Sequence, residues 1–465
     1  MNEGLYRLVY EYYETRILYG FYVEGDRLPS ICAICTVFSM ASATVRSALK
    51  QLEKKGYIRV DARKAAVVIY QADSSRFRQN AAEYFVRRKE GISDLLQSGR
   101  LLFEPLWRQG ILQWSEGEWE LLRKRLTAPE PGTKPMPAEF YLAALNVFHN
   151  RLLINLYWEM IRYLHFPYLT NQEERELVKQ DLGNESKEEI LTYLDQRLEQ
   201  KNAQAVQTLF QFIEQAETEY ALNPPAQIPF HWNIYRQRPQ LRYSLASRMI
   251  REIIEGRYPA GTFLPSLSQM TEQYGVTWST ARRTVELLEK LGSVRARQGK
   301  GVEVRAEVLL PDLAQPDIRE GLRLYQESLQ FLALTIRTVI VCTLEHTEPS
   351  ERKMLAEKLL RLQSDQKSYL GFEVILSFLE QECPLALVRE CYGKIRELLT
   401  WGYPFSKMRV KRHNLHEEYA QLILSAGIHL KEKKILAFAQ DWEELMIREE
   451  SQIRTLVDES GNPAQ

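Results

Sequence analysis

One block of this chain occurs twice without a gap. Gly25-Asp-Arg-Leu-Pro-Ser30 followed by Ala43-Thr-Val-Arg-Ser-Ala-Leu-Lys-Gln-Leu-Glu-Lys-Lys-Gly56 returns as Gly261-Thr-Phe-Leu-Pro-Ser266 followed by Ser279-Thr-Ala-Arg-Arg-Thr-Val-Glu-Leu-Leu-Glu-Lys-Leu-Gly292. Pro29 falls on Pro265, Thr44 on Thr280, Arg46 on Arg282, Glu53 on Glu289 and Gly56 on Gly292, each 236 residues later. That period is far longer than a solenoid repeat, so a whole folding unit has been duplicated. The chain must then contain at least two like modules, and any function has to use or discard both.

At 465 residues the chain exceeds one ordinary hydrophobic core, and roughly two to four domains are expected. The 61 Lys and Arg balance 61 Asp and Glu, so any case for nucleic acid must rest on local charge. Five cysteines without a regular framework fit a reducing compartment, and Glu3 and Arg7 interrupt the amino terminus before any signal-like apolar run. The longest apolar stretch, near Phe331 to Leu344, is broken by Arg337 and is short for a bilayer. These features point to a soluble cytoplasmic protein with no membrane partner.

Prolines and periodicity divide the chain. Residues 1–72 hold the first copy and 76–222 a helical block, interrupted by four prolines between Thr127 and Pro137. Asn223-Pro-Pro-Ala-Gln-Ile-Pro229 opens a linker over 223–237, because consecutive prolines cannot continue a helix. Residues 238–306 hold the second copy and 312–457 a second helical block. Apolar residues in both blocks recur at three- and four-residue spacing, the pattern of amphipathic helices around a core. The helical blocks also echo one another, Glu188-Glu-Ile-Leu-Thr-Tyr-Leu against Glu417-Glu-Tyr-Ala-Gln-Leu-Ile. The expected fold is mainly α with small β-wings: two winged helix-turn-helix domains alternating with two all-α helical bundles.

In the second copy a helix from Tyr243 stops at Gly256, and a short helix starts after Ser266, a candidate N-cap. Gly275 supplies a turn with positive φ, and Thr277 can cap a helix over Trp278 to Leu291. Ala281, Val285, Leu288 and Leu291 should face inward, which leaves Trp278, Ser279, Thr280, Arg282 and Arg283 at the exposed amino end. A second helix that starts with polar and basic side chains is built to enter a major groove. Ser293 to Val304 then alternates about Gly299-Lys300-Gly301, a hairpin with a basic tip that can reach the phosphate backbone. Trp278 to Arg305 carries seven basic residues against three acidic, and 41–64 carries seven against two. A solvated helix face could account for one such run, but the hairpin and the duplication together favour DNA.

The combination of Gly-x-x-Leu-Pro-Ser, the turn, Thr-x-Arg-x-x-x-x-x-Leu-Glu-x-x-Gly and Gln298-Gly299-Lys300-Gly301 resembles the winged helix-turn-helix head of GntR-type bacterial transcription regulators. The resemblance covers nearly all of 3–70 and 240–305 and implies double-stranded DNA as partner. It assigns DNA contacts to Ser42, Thr44, Arg46, Arg59, Arg63 and Lys64 in the first head. In the second it assigns them to Ser266, Thr277, Trp278, Ser279, Thr280, Arg282, Arg283, Arg297, Gln298, Gly299, Lys300 and Gly301. Family heads follow Leu-Pro-Ser with Glu-Arg, the arginine touching DNA; here Ile31-Cys32 and Leu267-Ser268 replace it. The wing Gln-Gly-Lys-Gly becomes Ala62-Arg-Lys-Ala65 in the first copy, so the second head is the better candidate sequence reader.

The helical blocks resemble divergent FadR-type effector-binding domains, many of which hold a metal through an Asp-x-x-x-His pair and two later histidines. Those first positions fall on Pro137 and Tyr141 in one block and about Ser368 and Phe372 in the other, so no metal and no cofactor is expected. His413 and His416, three apart, lack the partner carboxylate. Cys32-Ala-Ile-Cys35 has no second pair to complete a zinc site, and its cysteines are expected as small buried hydrophobes. No phosphate loop or nucleophile elbow suggests an enzyme. The expected protein is a tandem regulator acting as a monomeric pseudo-dimer on an imperfect palindrome, with a homodimer and an unidentified effector left open. Its rival is a helical scaffold whose heads have lost sequence reading.

Overall fold

A computed structural model of the chain describes residues 5–38, 40–60, 65–127, 137–164, 185–220, 226–232, 234, 241–254, 256–306, 315–402 and 415–461. Contacts divide it into two compact units, Met1–His149 with Leu153–Arg238, and Pro239–Gln465 with Asn150–Leu152. Among the described residues, each is mainly helical with one two-stranded antiparallel ribbon.

The first unit opens with α1 (Leu5–Leu18), α2 (Ile31–Phe38), α3 (Ser42–Lys54), β1 (Ile58–Arg59) and β2 (Val67–Val68). Val9, Tyr13 and Ile17 of α1 meet Ile34 and Phe38 of α2 and Val45, Leu49 and Leu52 of α3 in one core. The helices α4 (Ser74–Val86), α5 (Lys89–Leu112), α6 (Glu116–Thr127), α7 (Pro137–Asn146), α8 (Arg151–Leu164) and α9 (Lys187–Glu219) complete it. Asp73 caps α4, and Ser186 with Glu189 closes a capping box on α9. Gly110 of α5 is the close-approach point to α7, since a Cβ there would lie 2.1 Å from the Ala144 carbonyl oxygen.

Head and bundle of the first unit share a core. Phe38 stacks on Trp158 of α8 with ring centroids 5.0 Å apart, and Leu142, Trp158 and Ile161 join the cluster of the first head. Part of the expected linker is also folded onto this bundle: Ile228 N–H donates to the Arg87 carbonyl at 2.7 Å, and Trp232 Nε1 donates to Asn155 Oδ1 at 2.8 Å.

The second unit repeats the head as α10 (Leu241–Ile254), α11 (Leu267–Tyr274), α12 (Trp278–Lys290), β3 (Val294–Arg297) and β4 (Gly301–Val304). Its bundle comprises α13 (Pro316–His346), α14 (Pro349–Ser364), α15 (Gly371–Glu382), α16 (Ala386–Leu399), α17 (Leu415–Lys431) and α18 (Ile435–Gly461). Helix α13 packs along α18, and α14 along α17. Head and bundle meet at Tyr243 against Trp401, 5.2 Å between centroids, and at Ser247, whose hydroxyl donates to the Glu397 carbonyl at 2.9 Å.

Two expectations need correction. The apolar run near Phe331 belongs to a longer helix, and Ile318–His346 is long and apolar enough to cross a membrane by length and composition; 61% of its most apolar window is buried inside the protein. Cys32 is exposed and Cys35 half-buried, because the inward stripe of α2 is Ile31, Ile34, Cys35 and Phe38, which turns position 32 outward. Of the His413–His416 pair, His416 lies on α17, and His413 lies outside the described residues.

The metal positions that the family resemblance points to do not fit a metal. Tyr141 packs edge-on to Trp107, and Phe372 packs edge-on to Tyr419 and Trp442. His416 Nδ1 sits 3.0 Å from Ser368 Oγ, and among the described residues no group of three His, Cys, Asp or Glu is arranged to hold an ion.

Glu327 of α13 is buried beside Arg323, its guanidinium Nε at 3.2 Å, and burial pushes its carboxyl up to about 7. A carboxyl whose folded-state pKa exceeds its unfolded value near 4.5 stabilises the fold below that value, and this stabilisation is lost as pH rises towards 7. Glu327→Gln is insensitive to that titration. Its stability relative to the native chain should therefore rise by about 1–3 kcal/mol between about pH 5 and about pH 8 in denaturant titrations. A constant difference across that window would show that Glu327 stays charged.

Candidate nucleic-acid interface

The repeated motif residues build the same frame in both heads. Gly25 N–H donates to the Val68 carbonyl and Leu28 N–H to Ala66; Gly261 and Leu264 make the matching bonds to Val304 and Val302, all at 2.8–2.9 Å. Gly-x-x-Leu-Pro-Ser thus runs beside the second wing strand, and the bridges Arg27 to Val67 and Phe263 to Glu303 mark the pairing. The glutamate of Leu-Glu-x-x-Gly makes a second tie. Glu53 accepts from the Val60 N–H at 2.7 Å, and Glu289 accepts from the Ala296 N–H. Gly56 and Gly292, with φ of +79° and +70°, turn the chain sharply between helix and wing. The recognition helix and the wing are therefore held as one rigid piece.

In the second head the turn is fully furnished. Gly275 ends α11 in the left-handed region at φ +64°, and the Thr277 hydroxyl accepts from the Thr280 N–H at 3.2 Å as N-cap of α12. Ser266 accepts from the Gln269 N–H while Gln269 Oε1 accepts from the Ser266 N–H, a closed box. The hydroxyls of Ser266 and Thr277 thus hold the amino ends of α11 and α12. Ala281, Val285, Leu288 and Leu291 are buried. Trp278 is 53% exposed, and Ser279, Arg282 and Arg283 are exposed with it; Thr280 is half-buried. Arg282 Nε lies 3.0 Å from Glu286 Oε1, and its guanidinium is 6.0 Å from the Trp278 ring.

The wing pairs Val294 with Val304 through Arg297 with Gly301, leaving Gln298, Gly299 and Lys300 as an exposed tip. Arg297 and Arg295 both reach Glu303, Arg295 at 2.9 Å, so Glu303 offsets part of the strand charge while Lys300 projects beyond it. Behind this surface, Glu252 is buried and gathers Arg257 at 2.9 Å and the Tyr274 hydroxyl at 2.7 Å. Burial, then hydrogen bonding to Tyr258 and Glu252, pushes the Tyr274 phenol up.

The first head keeps the frame but loses its furnishings. Ala41 occupies the N-cap of α3 with extended φ −65° and ψ 145° and makes no side-chain cap bond. Ser42 and Arg46 are exposed, Thr44 is half-buried, and Arg59 stands exposed on β1. Arg63 and Lys64 lie outside the described residues. Ser30 caps Ala33 N–H at 3.2 Å, but alanine at that position cannot return the bond. Two residues absent from the sequence-based set flank the wings: Arg27 is exposed beside β2, and Phe263, its counterpart, is 43% exposed beside β4. Their signal was positional, the second variable residue of Gly-x-x-Leu-Pro-Ser, which the structure places against the wing.

Because the Ala41 backbone already has N-cap geometry, Ala41→Thr needs no rearrangement. It should stabilise the first unit by about 0.5–2 kcal/mol, measured by urea unfolding. A neutral or destabilising outcome would mean that the α3 amino end is capped by some other group.

The family described as "Bacterial regulatory proteins, gntR family" matches residues 5–68 and 242–304. The chain is 36% identical over 64 residues to the uncharacterized HTH-type transcriptional regulator YieP of Escherichia coli K12, a match covering 14% of this chain and 28% of that protein. Among solved structures, Streptococcus agalactiae GntR is 18% identical over 45% of this chain and 99% of its own, with a TM-score of 0.20. E. coli McbR/YncC is 15% identical over 46% and 98%, with a TM-score of 0.28. Both winged helix-turn-helix heads match the gntR family of bacterial regulatory proteins, so the chain carries two heads of that family in tandem.

Proposed function

We propose that this protein is a sequence-specific transcriptional regulator in which one chain supplies both readers of an asymmetric or imperfectly palindromic DNA site. The division is head 1–72, helical domain 76–222, linker 223–237, head 238–306 and helical domain 312–457. The observation that carries the reading is the second head: a capped recognition helix presenting Ser279, Arg282 and Arg283, with Lys300 at the tip of a rigidly tied wing. Arginine at the amino end of a groove-entering helix suits bidentate contact with guanine, while a wing lysine suits phosphate. The first head presents Ser42, Thr44, Arg46 and Arg59 on the same frame, so the two half-sites should differ in sequence.

Arg282→Ala should weaken binding to the best site by about 1–3 kcal/mol and relax preference at one base pair. Lys300→Ala should instead weaken all sequences alike and reduce the salt dependence of binding by about one phosphate contact. Gel shifts against the upstream region of its own gene, repeated over a salt series, measure both. Binding without sequence preference in the native protein would favour the scaffold reading, in which the helical surfaces engage other proteins.

Two family-type bundles joined in one chain meet at an effective concentration of order millimolar, so intramolecular pairing should outcompete association between chains. The expected species is one chain per DNA site, with each head on its own half-site. Light scattering with and without DNA decides this, and a stable dimer with four heads on symmetric sites would contradict it.

A further inference from the structure

We infer that Cys32 and Cys35 form a reversible dithiol–disulfide site in the first head, closed by a peroxide-class oxidant, and that closure deforms the first turn of α2. The inference rests on the reading of this head as a DNA-facing unit only for its consequence, not for its chemistry. Cys32 is exposed, Cys35 is half-buried on the inward side, and neither is in a disulfide. They are the second and fifth residues of α2, three apart and hence neighbours along one edge of the helix. Residues at that spacing have Cβ atoms about 5–6 Å apart in a regular helix, whereas a disulfide needs about 3.5–4.5 Å. Closure therefore requires the turn to tighten.

The structure decides which end of α2 yields. Its carboxyl end is anchored: Phe38 stacks on Trp158 at 5.0 Å and meets Tyr12 edge-on at 5.0 Å. Its amino end is held by the half-buried Ile31 and by Ser30, whose hydroxyl accepts from Ala33 N–H at 3.2 Å and whose carbonyl accepts from Ile34 N–H at 2.9 Å, with no returning side-chain bond from Ala33. The matching turn of α11 has the reciprocal Ser266–Gln269 box and no cysteine. The soft turn is also the one facing the proposed DNA, since Cys32 occupies the position at which the family resemblance puts a DNA-contacting arginine. Ile34, fully buried between the cysteines in sequence, couples that turn to the core under α3.

The chemistry balances with hydrogen peroxide as the oxidant. One thiolate attacks the peroxide oxygen, breaking the O–O bond and releasing hydroxide, which takes a proton to become water; the cysteine becomes a sulfenic acid. The second thiolate then attacks that sulfur, forming the S–S bond and expelling hydroxide, again protonated to water. Two electrons pass from the thiols to peroxide, and a dithiol reductant reverses the change.

The test uses the full chain, reduced or treated with stoichiometric hydrogen peroxide, followed by peptide mass mapping and hydrogen exchange over α2. Support is a loss of two hydrogens mapped to a Cys32–Cys35 link, faster exchange at 31–35 and reversal by dithiothreitol. Cys35→Ser should abolish the link and the exchange change, and the native oxidised protein should bind a DNA site about tenfold more weakly than the reduced one. Oxidation confined to Cys342, Cys383 or Cys391, or a link with unchanged exchange, overturns the inference. A reduced protein that binds no DNA would count against the proposed function alone, and the mass and exchange results still decide the thiol site.

Discussion

The hydrogen bond from a wing N–H to the glutamate of the recognition helix is the constraint on which both heads depend. Without it, a short helix followed by a glycine turn and a two-stranded ribbon would have two loosely related pieces, because a lone hairpin is marginal in water. Glu53 and Glu289 each span seven residues to the first wing strand. Gly-x-x-Leu-Pro-Ser ties the other strand from outside. Each such bond lies at an exposed position and contributes about 0.5–1.5 kcal/mol net. It also fixes the distance from helix tip to wing tip, the quantity a DNA-reading head must hold constant.

Once that frame is secured, the two copies are free to differ behind it. Glu252, which gathers Arg257 and Tyr274 under the second head, is replaced at the equivalent position by Arg16. Arg16 lies 3.9 Å over the Tyr12 ring and 5.4 Å from Phe21. A carboxylate held by cations and a phenol has become a cation held by aromatic faces, two solutions to keeping a charge inside a small core. Tyr274 becomes Phe38 in the same exchange, losing the hydroxyl that would need Glu252 and gaining a flat apolar face for Trp158. The first head is thereby welded to its bundle by apolar contact, whereas the second meets its bundle through Tyr243, Ser247 and Thr400.

Much of this was legible in the sequence because it is local. The N-caps at Ser266 and Thr277, the left-handed Gly275, the buried stripe of α12 and the hairpin about Gly299 follow from rules acting over a few residues. The role of Glu53 and Glu289 was hidden, since an exposed-looking glutamate in a helix gives no sign that it accepts from a strand seven residues on. The Cys32–Cys35 pair was misjudged for a related reason: composition makes α2 apolar throughout, and only the partners on α1 and α3 reveal which stripe is inside. The fold of 226–232 onto the first bundle was likewise beyond reach, because proline predicts where a helix stops but not what the freed chain then binds.

The differences between the copies concentrate where function can use them. Thr277 and the Ser266–Gln269 box pin the amino ends of α12 and α11, and Gly275 closes α11, so α12 starts at a fixed point with its arginines aligned. Ala41 and Ala33 at the matching positions of the first head leave those ends without reciprocal bonds, while the glutamate tie and the packing of Phe38 keep the rest rigid. On the proposed reading, a duplicated chain no longer needs two identical readers, because its second reader is always present at fixed stoichiometry. One head then keeps the sharp geometry of fully capped helix ends, and the other carries the softer amino end of α2 on which the proposed thiol chemistry acts.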